Sequence, residues 1–130
     1  MHEFSLATQI VESVLEFVQA HPAGEVLKVR LQIGELTCVE AEQLRFCFNS
    51  IAERTPLENA LLEIEPVSAR IRCPHCRYQG APRYWENALA GARIPTLECP
   101  ECGQAARAIQ GHDCEIKSIQ FVDLAPAHAG

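Results

Sequence analysis

The sequence predicts an α+β fold: two helices on a small three-stranded mixed sheet, with a cysteine-bearing module inserted between the second and third strands. Three observations carry this. Two segments repeat apolar residues at helical spacing, three alternate apolar and polar residues, and two C-x2-C knuckles lie between the second and third alternating segments. The knuckles, Cys73-Pro74-His75-Cys76 and Cys99-Pro100-Glu101-Cys102, mark a zinc-ribbon-like module.

From Ser5 to Ala20, the residues Ala7, Ile10, Val11, Val14, Leu15 and Val18 form one apolar helical face, with Glu12, Glu16 and Gln19 opposite. Ser5 is the expected N-cap, His21-Pro22 the expected end, and Gly24 a turn residue. Leu27, Val29, Leu31 and Ile33 then alternate with Lys28, Arg30 and Gln32, a strand with one buried face that Gly34 stops. Leu44, Cys47, Phe48, Ile51 and Ala52 trace a second helical stripe, closed by Pro56, with Cys47 in the core. Ala60, Leu62 and Ile64 give the second strand, and Cys114 to Val122 the third. In the third, Ile116 is out of phase with Ile119 and Phe121, which predicts a bulge near Lys117-Ser118.

The expected organisation is a discontinuous α/β domain over residues 1-67 and 111-124, a metal-binding domain over 68-110, and a frayed tail over 125-130. Val67-Ser68 and Gln110-Gly111 are the expected hinges.

Each knuckle is a tight turn that offers two thiolates to one ion, and the 22 residues between them suffice for a small β excursion. Four cysteinates at Cys73, Cys76, Cys99 and Cys102 close a tetrahedral Zn(II) site and leave no open position, so the zinc is structural. His75 is read as exposed on its turn. Cys38 is read as a small buried residue, with a role as an additional soft metal ligand as the alternative.

At 130 residues the chain accommodates a compact domain plus a metal-stapled module. Its 7 cysteines, without a secretory signal or a run of 18 apolar residues, fit a reducing, cytoplasmic setting. Net charge is -6, yet Arg70, Arg72, Arg77, Arg83, Arg93 and Arg107 concentrate in the metal module. A nucleophile with a base, a phosphate-binding loop and an open zinc site are all missing from the pattern, so no enzyme activity is expected.

The amino terminus carries a second constellation. In Met1-His2-Glu3, the α-amine, the His2 backbone nitrogen and its Nδ1 form adjoining chelate rings. A fourth donor from Glu3 completes the tetragonal field that suits Ni(II) or Cu(II).

This tripeptide, the strand end Ile33-Gly34-Glu35, the double knuckle and the closing Glu115-Ile116-Lys117-Ser118-Ile119 together resemble the HypA/HybF family of hydrogenase maturation nickel metallochaperones, over residues 1 to about 123. The resemblance implies Ni(II) as cargo held by His2 with Met1 and Glu3, and an acidic residue after the first strand, here Glu40. It implies delivery to [NiFe]-hydrogenase, with a HypB-type GTPase and the hydrogenase large-subunit precursor as partners, and neither nucleic acid nor membrane. Monomer and homodimer both stay open. The alternative is a zinc-ribbon module that binds nucleic acid or protein through its arginines, which the acidic remainder disfavours.

Overall fold

The computed structural model describes residues 3–21, 23–86, 91 and 93–123. The chain divides into two compact units. The first comprises Met1–Leu31, Val39–Glu65 and Glu115–Gly130, and the second Gln32–Cys38 and Pro66–Cys114.

In the first unit, helix α1 (Glu3–Ala20) packs against helix α2 (Ala41–Ala52) beside a three-stranded sheet ordered β2 (Leu61–Val67), β1 (Ala23–Gly34), β8 (Cys114–Asp123). Lys28 pairs with Glu63 at 3.4 Å and Arg30 with Glu65 at 2.8 Å. The pairing advances in the same sense on both strands, as expected of parallel neighbours joined by a helical crossover. The core holds Leu6, Ala7, Ile10, Val11 and Val14 from α1, Val26, Val29 and Leu31 from β1, and Leu44, Phe48 and Ala52 from α2. Two α helices, a small mixed sheet and an inserted metal module are therefore as the sequence predicts.

Five local expectations are corrected. Helix α1 starts at Glu3, so Ser5 lies inside its first turn and does not cap it. An acidic first-turn residue suits the positive end of the helix dipole. At the other end, the ring of His21 stacks on Phe17 and its Nδ1 meets the Phe17 carbonyl at 2.9 Å, which satisfies one carbonyl of the final turn. Pro22, like the tail from residue 124, lies outside the described residues.

Strand β1 begins at Ala23 and includes Gly24. Leu27 is 44% exposed, and Val26 takes the buried place. Lys28 reaches Glu63 on the solvent side, so the alternation slips by one residue between Val26 and Val29. Cys38 is exposed, in the left-handed region at φ 57°, and is not a core residue. Cys47 is half-buried. In β8 the exposed pair Lys117 and Ser118 separates half-buried Ile116 from half-buried Ile119 and Phe121, which is the phase change expected there.

The second unit contains a sheet ordered β4 (Gln79–Gly80), β3 (Arg70–Arg72), β7 (Arg107–Gln110) and a hairpin of β5 (Tyr84–Trp85) with β6 (Ile94–Pro95). It also takes in the end of β1, which the sequence reading keeps with the helices. The reason is local pairing: Gly34 N–H donates to Asp113 O at 2.8 Å and Leu36 N–H to Gly111 O at 2.8 Å. Gly34 and Gly111 touch backbone to backbone there, and a Cβ on Gly34 would lie 2.1 Å from the Gly111 oxygen. The two dipeptides expected as hinges fall inside this unit. Gln110 is tied to Ser68 O at 2.9 Å, and Gly111, at φ 85°, packs on Ala69.

Candidate metal centre

The two knuckles adopt one backbone pattern twice. Arg77 N–H donates to Cys73 O at 3.0 Å, and Gly103 N–H to Cys99 O at 2.9 Å. Cys73 N–H donates to Tyr78 O at 2.8 Å, and Cys99 N–H to Gln104 O at 2.9 Å. Arg77 and Gly103 both take positive φ, 66° and 77°, which turns the chain back so that both sulfurs of a knuckle face one point. Around them Ile71, Cys73, Cys99 and Ala106 are buried, with Tyr78 packed alongside.

All four Sγ atoms lie within 4.8 Å of one another. The Cys73–Cys102 and Cys76–Cys99 separations are 3.6 and 3.5 Å. A Zn–S bond of about 2.3 Å in a tetrahedron puts sulfurs about 3.8 Å apart, whereas a disulfide needs about 2.05 Å. The donor set therefore fits zinc and not a pair of disulfides. Glu101 N–H points at Cys99 Sγ from 3.4 Å, a further support for a thiolate. His75 is exposed on its turn, as expected.

Burial opposes ionisation of Cys73, but the N–H groups of Cys76 and His75, with the Cys102 and Cys76 sulfurs, pull its thiol down to about 7. At Cys76 the Tyr78 backbone favours the thiolate, yet burial and the Cys99, Cys102 and Cys73 sulfurs push that thiol up to about 12. Four adjacent thiols cannot all ionise unaided. A dication removes that repulsion, so loading the site expels protons and acid opposes it.

Met1 and His2 lie outside the described residues. Glu3 opens α1, and its Oε2 accepts the Glu40 backbone N–H at 2.9 Å, so two of the expected nickel residues meet. The Glu40 carboxylate is committed elsewhere. It is the N-cap of α2, accepting from Gln43 N–H at 2.8 Å and Glu42 N–H at 3.3 Å.

One polar hub escaped the reading of residues. Glu35 Oε1 accepts the Ala69 N–H at 2.8 Å and the Tyr84 hydroxyl at 2.8 Å, both partners within the second unit. Tyr84, on β5, supplies the far end of this hub. Here its ring faces the Arg93 guanidinium at 4.1 Å, and Arg93 pairs with Glu86 at 3.2 Å. Burial, then the bond to Glu35 and its charge, raise the Tyr84 phenol above its ordinary value against the opposing pull of Arg93. A carboxylate directly after a strand-ending Ile33-Gly34 was the available signal.

The family model described as "Hydrogenase/urease nickel incorporation, metallochaperone, hypA" matches residues 1–121. The chain is 36% identical to a hydrogenase maturation factor HypA of Methanopyrus kandleri, covering 99% of both chains. It is 41% identical to that of Methanosarcina mazei, covering 93% of each. The fold matches the solution structure of the Ni metallochaperone HypA from Helicobacter pylori with a TM-score of 0.64 at 20% identity, covering 94% of this chain and 98% of that one.

Proposed function

The chain belongs to the HypA family of nickel-incorporation metallochaperones, hydrogenase maturation factors and not enzymes, and on that premise we propose that it binds Ni(II) at its amino terminus and carries it to a [NiFe]-hydrogenase precursor. The observation that supports this most is the bond from Glu40 N–H to the Glu3 carboxylate, which fixes the residue next to His2. The nickel donors in this reading are the Met1 amine, the His2 backbone and imidazole, and Glu3. Glu40 contributes through its backbone, since its carboxylate caps α2.

A carrier needs a site that holds and releases. Amine and imidazole donors have ordinary pKa values near about 8 and about 6.5, so each must lose a proton to bind, and nickel affinity falls as pH drops through that window. The four-cysteine site supplies structural Zn(II) at Cys73, Cys76, Cys99 and Cys102. It has no open position for cargo. A HypB-type GTPase and the hydrogenase large-subunit precursor are the partners in this reading, and the cytoplasm is its setting. Among the described residues no helix is long and apolar enough to cross a membrane.

The test is a Ni(II) titration of the untagged protein, repeated with His2→Ala and with one residue added before Met1. Both changes are expected to abolish specific nickel binding and leave zinc content unchanged. Unaltered binding by the extended chain would sink the terminal-amine site.

A further inference from the structure

The cysteine-bearing unit carries an arginine ladder that the proposed function does not use. In the antiparallel sheet, Arg72 on β3 is the register partner of Arg107 on β7 and of Gln79 on β4. Opposed residues of an antiparallel pair project to the same face. Ile71 between Arg70 and Arg72 is fully buried while both arginines are exposed, which keeps Arg70 on that face although the pairing with β7 shifts register between Arg70 and Ile71. Arg107 and Gln79 are exposed too.

Two like charges placed directly across a sheet repel, and a fold with no use for them gains by neutralising one. Elsewhere in this unit arginines are paired: Arg83 with Glu98 at 3.7 Å and Arg93 with Glu86 at 3.2 Å. Among the described residues, no carboxylate pairs with Arg70, Arg72 or Arg107. Three planar guanidinium groups share one small sheet face beside a glutamine amide, and none is paired with a carboxylate among the described residues.

We propose that this face is a docking surface for an acidic protein segment, whose carboxylates pair with Arg72 and Arg107 at its centre and Arg70 at its edge. Arg matches carboxylates bidentately, and the separation of Arg70 from Arg72 by one buried residue suits an extended chain with acids at alternate positions. Nucleic acid is the less favoured anion. Tyr78 packs into the core and spends its hydroxyl on Ala81 O at 2.8 Å, so it offers no stacking platform. The net charge of -6 opposes any polyanion alike, so the choice between them rests on stacking and on the spacing of the arginines. The zinc clamp holds the ladder in place, since Arg72 directly precedes Cys73 and Arg107 follows buried Ala106.

The experiment measures fluorescence anisotropy of a labelled peptide of alternating glutamate and serine against the zinc-loaded full chain at low salt. Parallel titrations use an oligothymidylate of equal length. Arg72→Gln with Arg107→Gln should weaken peptide binding about tenfold, two partly exposed ion pairs' worth. Arg83→Gln with Arg93→Gln removes the same net charge from arginines already paired, and should change it less than about twofold. Equal losses in the two double variants, no peptide binding by the parent chain, or tighter binding of the oligothymidylate would each overturn the proposal. Thermal melting separates a structural role: relieving the repulsion should leave the midpoint of the Arg72/Arg107 variant unchanged or raised, and a lowered midpoint counts against a surface kept for a partner.

Discussion

Glu35 joins two pieces of the second unit with one oxygen, because Oε1 accepts both the Ala69 N–H and the Tyr84 hydroxyl. Glu35→Ala leaves both donors unpaired in a half-buried place, and hydrogen bonds to a charged acceptor contribute about 1.5–3 kcal/mol. A loss of about 2 kcal/mol from the second unit is expected, and about 1 kcal/mol for Tyr84→Phe, read by urea unfolding followed through Trp85. The phenol offers a second check. Its pKa is raised in the folded chain, so its stabilising contribution is whole below the ordinary tyrosine value of 10 and is lost as pH rises through the folded value. Absorbance titration should place Tyr84 above 10 in the parent and lower in Glu35→Ala than in the parent, since that change removes the bond and the charge while the burial stays. This hub was illegible in the sequence because 49 residues separate its ends. The cysteine cluster, by contrast, was fully legible, since each ligand pair is local and only one closure is long-range.

At the scale of elements, helices and strands were readable wherever periodicity ran unbroken, as in α2 and β2. They were misread where tertiary packing shifted the phase: at Leu27, where a slip in β1 exchanges it with Val26, and at Ser5, where helix α1 begins two residues earlier. The N-terminus of α2 hid a double duty. Glu40 was recognised as a family acid, yet its side chain is a helix cap and its backbone holds Glu3. Glu40→Ala should therefore destabilise the first unit by about 1 kcal/mol through loss of the cap. Glu40→Asp should retain stability, because aspartate is a preferred cap. If the backbone bond is what Glu40 contributes to the nickel site, nickel affinity in Glu40→Asn, which keeps a capping oxygen but loses the carboxylate, stays within about threefold of the parent by calorimetry. A loss beyond about tenfold in that variant would instead assign the carboxylate as a ligand.

For the whole molecule, the two units differ in what holds them. The first unit buries a broad apolar core drawn from two helices and a sheet. Around the cysteines, the buried cluster of the second comprises, among the described residues, Ile71, Cys73, Cys99 and Ala106, and two of these are the proposed zinc ligands. A core so small does not offset the ordering entropy of its chain, whereas a structural zinc contributes on the order of 10 kcal/mol to folding. Removing the metal should therefore melt the second unit and spare the first. The assignment is readable, because α1 and α2 both lie in the first unit and the second contains no α-helix among the described residues. On adding a strong chelator, circular dichroism at 222 nm should persist while hydrogen exchange at Cys73, Cys99 and Ala106, whose N–H groups bond to Tyr78 O, Gln104 O and Leu97 O, becomes fast. Acid should act in the same direction, since protons compete with zinc for the four sulfurs, and less chelator should be needed as pH falls. Retention of exchange protection at those three amides after complete zinc removal would show that the unit is held by its sheet and by the Gly34–Gly111 crossing instead of by its metal.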